Sequence, residues 1–149
     1  MSKAIFAMAF SVITLFASVL VRAESWVEFS GVQATNEKTG EILFVTESYY
    51  DKDSIRLVGD NTYKFWTKAV RTITGSPNND IYEKMKDETT KDLVAINCSD
   101  KTFEVLTKTE KQLIEDWMPE DLKNRVRKTI KGNVFDLDYY AKLWIAVCK

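Results

Sequence analysis

Along most of the chain apolar and polar positions alternate with a period near two, and towards the C-terminus they recur at three- and four-residue spacing, a sheet pattern followed by a helical one. Residues 25–31 predict a first short strand with Trp26 to Phe29 as its apolar content, and residues 35–40 a polar turn. Residues 41–50 predict the second strand, whose centre Ile42-Leu43-Phe44-Val45 is apolar on both faces and suits the middle of a sheet. A turn over 49–55 leads to a short third strand at 55–58, and Gly59-Asp60-Asn61 supplies a tight hairpin connection. Residues 62–74 are the clearest strand, with Tyr63, Phe65, Thr67 and Ala69 on one face and Lys64, Trp66, Lys68 and Val70 on the other. The run from Gly75 to Asp80 ends it, and residues 81–88 read equally as a helical turn or a strand. Residues 91–98 and 102–109 complete six strands, and their short connections imply antiparallel neighbours.

Two helices follow. Trp117-Met118-Pro119 with Glu120-Asp121 is a helix start, proline near the first position and acids in the first turn, and Lys128, Lys131 and Gly132 form a basic end and stop. From Asp136 onward, Leu137, Tyr140, Ala141, Trp144, Ile145 and Cys148 make one apolar stripe at helical spacing.

The first 23 residues change the picture. Lys3 is a positive start, residues 5–21 carry no charge, and Val21-Arg22-Ala23 places small or aliphatic residues where signal peptidase needs them, so cleavage is expected after Ala23. An uncleaved anchor is the alternative, since about 17 apolar residues approach the minimum for a spanning helix. Cleavage leaves residues 24–149 as one domain, in the periplasm, at the cell surface or secreted. No cysteine stands just after the cut, the first being Cys98, which speaks against lipid attachment at the new terminus.

Export bears on the two cysteines. Cys98 and Cys148 can form one disulfide in an oxidising compartment, and without histidine they cannot make an ordinary zinc set, so no metal or cofactor is expected. Cys148 lies on the apolar stripe of the last helix, and Cys98 alternates with Val94 and Ile96 to a common strand face. The geometry that joins them lays the helix across that face. The expected fold is therefore α+β, a six-stranded antiparallel sheet with a C-terminal helix disulfide-tethered to one face.

Charge excludes some roles. The 21 Lys and Arg fall to 19 without Lys3 and Arg22, against 22 Asp and Glu, and a net charge of −3 is a poor match for nucleic acid. Asp51, Asp53 and Asn61 do not fit a calcium loop, because Ile55 and Arg56 stand where a ligand and a glycine are needed, so Asp51 or Asp53 is expected to cap a turn. Asn97-Cys98-Ser99 has the form of a glycosylation sequon, but its centre is the bridge cysteine, and a chance match is the better account. Nucleophilic catalysis lacks a histidine base, and the acids Glu115-Asp116 and Glu120-Asp121 are explained by a helix start. The candidate binding surface is Lys64, Trp66 and Lys68 with Arg71 beyond them; the plainer expectation is that the helix covers Trp66 and the lysines flank it. Lys123, Arg125, Arg127, Lys128 and Lys131 on the first helix are expected to be a solvated face, an anionic partner being the alternative.

A Trp-containing first strand, then Tyr50-Asp51-Lys52-Asp53-Ser54-Ile55, Tyr63-Lys64-Phe65-Trp66, Ile96-Asn97-Cys98 leading into Phe103-Glu104-Val105-Leu106, and a closing Ala146-Val147-Cys148 make the chain resemble the surface-adhesin protein E family of exported bacterial proteins. The likeness spans most of residues 24–149. It implies an antiparallel sheet with a disulfide-tethered C-terminal helix, and binding to host matrix or serum proteins. The family archetype is lipid-anchored, unlike this chain, and residues 108–133 look more helical than the family pattern. The expected function is an exported, non-catalytic binding protein, an adhesin that contacts extracellular or envelope proteins with no membrane span after cleavage. Two alternatives stand beside it: a periplasmic small-ligand carrier, which needs a pocket between helix and sheet, and an enzyme, which needs two carboxylates converging in one cleft.

Overall fold

The computed structural model describes residues 24–75 and 86–149; the expected signal with its cleavage point at Ala23, and most of the ambiguous stretch 81–88, lie outside the described residues. The six expected strands are present as β1 (Trp26–Thr35), β2 (Ile42–Asp51), β3 (Arg56–Gly59), β4 (Thr62–Ile73), β5 (Glu88–Asn97) and β6 (Thr102–Val105). A short β7 (Lys131–Asn133) joins them. The helices are a single turn α1 (Glu110–Leu113), α2 (Glu120–Ile130) and α3 (Asp138–Cys148). Spatial order is β1-β2-β4-β5-β6-β7, each pair antiparallel, with β3 also on β4.

β2 and β3 lie along the same side of β4, opposite Thr67 to Ile73 and Thr62 to Lys64 respectively. The one-turn 3-10 segment Lys52–Ser54 separates them. Asp51, nearly buried, accepts from the Asp53 amide at 3.0 Å, the capping role expected of it. Ser54 Oγ donates to the Asp51 carbonyl at 2.7 Å and accepts the Trp66 amide at 2.9 Å, standing in for the strand partner that β4 lacks there. Ser54→Ala is expected to cost about 1 kcal/mol, read by urea denaturation, because the amide keeps only solvent as partner. Asp60 and Asn61 both take positive φ, 42° and 56°, in the hairpin between β3 and β4, as a turn matching strand twist requires. The Asn97 amide nitrogen donates to Asp60 O and Thr62 Oγ1, a structural use of the sequon asparagine.

The core lies on one side of the sheet. Phe65, Val94, Ile96, Phe103 and Val105 point there and meet Val134, Tyr140 and Leu143 from the C-terminal segment. Phe103 and Tyr140 stack with centroids 3.5 Å apart. Cys98 and Cys148 form the expected disulfide, Cα to Cα 5.6 Å, and α3 lies over the face bearing Val94 and Ile96.

Two expectations need correction. Residues 131–133, read as a basic helix end, leave α2 at Ile130 and pair with β6, Gly132 opposite Phe103, so the otherwise open edge of β6 gains a partner. The buried stripe of α3 is also rotated. Tyr140, Trp144 and Cys148 define a line at four-residue spacing with apolar residues on both sides of it. Leu143, fully buried, and Val147 turn inward, whereas Ile145 is half exposed. The rotation follows from three anchors: the Tyr140 stack, the Trp144 indole donating to the Cys98 carbonyl at 3.3 Å, and the disulfide.

Candidate functional site: an open sheet face and a helix–sheet seam

Alternation along β4 sends Lys64, Trp66 and Lys68 away from the helices. The expectation that the helix covers Trp66 is overturned. α3 lies on the Phe65 side, because Val94, Ile96, Cys98 and Phe103 share that parity, and Trp66 remains 40% exposed. Arg71 has the opposite parity to Lys64, Trp66 and Lys68; it leaves the open face and binds Glu88, its neighbour on β5, at 2.6 Å.

Other residues complete the face. Lys68 Nζ stands 4.4 Å from the Trp26 ring and 5.0 Å from the Tyr49 ring, and Lys91 Nζ is 5.2 Å from Trp26. Glu24 accepts from the Trp26 indole at 2.8 Å and from Lys91 at 3.1 Å, and these two bonds hold its carboxyl below the ordinary value. Beside this cluster a groove of about 490 Å³ runs between Glu24, Asp53, Arg56 and Lys64, with Trp66 and Leu93 along it. Trp26 was legible as an aromatic at the strand start, but the cross-strand register that brings Tyr49 and Lys91 to Lys68 was not.

On the other side of the sheet, a concavity of about 440 Å³ opens between β4, β5, α1 and α2. At it Lys108 pairs with Asp92 at 2.7 Å, Thr107 donates to the second Asp92 oxygen at 2.8 Å, and Thr67 donates to the Asp92 carbonyl at 3.2 Å. Burial pushes the Tyr139 phenol up, and burial pushes Tyr140 up further. Sequence reasoning missed this group. The signal for it was Asp92, a carboxylate at the parity of Val94 and Ile96 and so aimed at the core side.

The basic helix has its central charge engaged: Arg127 donates to Glu120 at 2.8 Å and Glu110 at 3.3 Å, and those bonds raise its pKa. Among the described residues no group of three or more His, Cys, Asp or Glu side chains is placed to hold a metal, and no helix is long and apolar enough to cross a membrane.

Fold and faces together define a disulfide-clamped α+β protein, and a bridge of this kind agrees with an oxidising, extracytoplasmic location. No protein-family model, curated protein or solved structure matches the chain.

Proposed function

We propose that the chain is an exported, non-catalytic binding protein that contacts an extracellular or envelope protein through the open sheet face centred on Trp66. The observation that carries this reading is the belt of Trp26, Tyr49 and Trp66 interleaved with Lys68 and Lys91 on the side of the sheet opposite the helices. Tryptophan and tyrosine side chains held at a surface by a rigid scaffold are the chemistry of protein-binding hot spots. A non-catalytic role is supported by the lack of any histidine and the commitment of both cysteines to the bridge. The resemblance to the surface-adhesin protein E family supports the partner class, and the apolar N-terminal run supports export by a signal cut after Ala23.

The test is surface plasmon resonance of the exported protein over immobilised matrix and serum proteins. Trp66→Ala combined with Lys68→Glu is expected to weaken a saturable interaction at least about 30-fold, the loss of roughly 2 kcal/mol at a hot spot. Ile145→Ser on α3, exposed and on the helix side, leaves it unchanged. No saturable binding across the panel, or equal binding by the double variant, overturns the reading.

A further inference from the structure

The seam between sheet and helices is a separate feature from the Trp66 face, on the opposite side of the sheet, and it has the dimensions of a ligand site. Its volume of about 440 Å³ falls in the range of small-molecule pockets, roughly 300–1,000 Å³. We propose that this seam binds a small uncharged amphiphile, its apolar body between Val94, Leu113 and Val126 and its hydrogen-bond acceptor directed to the Lys108 ammonium.

Charge sets the first part of that assignment. Asp92 and Lys108 neutralise each other at 2.7 Å, so a ligand ion entering the seam meets a counter-ion already engaged, and burying a charge without its own partner is costly. Hydrogen-bond capacity sets the second. Each Asp92 carboxylate oxygen already accepts one bond, from Thr107 or from Lys108, and the Tyr140 hydroxyl donates to the Thr129 carbonyl at 3.1 Å. Tyr139 lines the seam as well, its phenol pushed up by burial. Lys108 has three protons and directs one at Asp92, which leaves donors for a carbonyl, ether or ester oxygen. The apolar wall sets the third, because Leu113 and Val126 remain half-buried opposite buried Val94. The walls of the seam are joined to one another: Arg127 ties α1 to α2 through Glu110, and Tyr140 ties the end of α2 to α3.

The test uses the protein expressed from residue 1 and purified from the compartment it reaches, with 6-propionyl-2-dimethylaminonaphthalene, a neutral naphthalene bearing one carbonyl acceptor, as probe. Its emission is expected to shift to the blue and saturate, and Leu113→Glu or Val126→Glu to weaken binding at least about tenfold by placing a charge against its apolar body. The anionic 1-anilinonaphthalene-8-sulfonate is expected to bind more weakly. Amide NMR on the unaltered protein guards against variants that misfold: perturbations should centre on Thr67, Asp92, Val94, Lys108 and Tyr139. Absence of saturable binding, tighter binding of the sulfonate, or perturbations centred on Trp66 overturns the assignment.

Discussion

Replacing Cys98 and Cys148 together by alanine is expected to lower the unfolding free energy by about 4 kcal/mol. The bridge spans 50 residues, and in the chain-entropy account a closed loop of that length removes about that much conformational freedom from the unfolded chain. A loss of this size is a large share of the roughly 5–15 kcal/mol by which domains are stable. The effect should also be local. Trp144 lies beside the staple, because its indole donates to the Cys98 carbonyl and it stands one helical turn before Cys148. Guanidinium titration followed by tryptophan fluorescence and circular dichroism measures the change. A fall of less than about 1 kcal/mol means that packing of α3 is sufficient without the covalent link.

Leu143→Ala is expected to cost about 3 kcal/mol, within the range for emptying a fully buried leucine site. Leu143 is fully covered and belongs to the cluster formed by Phe65, Val94, Ile96 and Tyr140, so its neighbours would close over the void only in part. Ile145→Ala serves as the internal comparison. Ile145 is half exposed on the same helix, and its truncation should stay within about 0.5 kcal/mol. The two measurements fix the rotation of α3, and a larger loss at Ile145 than at Leu143 would refute the packing described.

These contrasts show where sequence patterns carry and where they stop. Val94, Ile96 and Cys98 alternate, so their common face was legible from periodicity, and the tether to Cys148 from there being only two thiols in a chain expected to be exported. Leu143 was not, because apolar residues flank the Tyr140–Trp144–Cys148 line on both sides and the helical repeat cannot choose between them. The strand ending at residue 109 was over-read in the same way: β6 stops at Val105, and Lys108 turns to Asp92.

The candidate surface was partly legible. Lys64, Trp66 and Lys68 were placed together by alternation alone, and the structure keeps them on one face. Arg71 was grouped with them against its parity, and its pairing with Glu88 depends on the register of β5. Trp26 and Lys91 flank Lys68 only because β1, β2, β4 and β5, from separate parts of the chain, lie side by side.

By itself the sequence determined the α+β class, six antiparallel strands, which residues of β4 and β5 share a face and the residues joined by the bridge, since each depends on local periodicity or on there being only two thiols. The tertiary structure alone decided that Trp66 faces away from the helices, that Lys131–Asn133 becomes a strand, and that Asp92, Lys108 and Tyr139 share a seam. The reason is that a side chain's parity follows from its own neighbours, whereas which face is covered depends on where a distant helix can bury the most apolar surface.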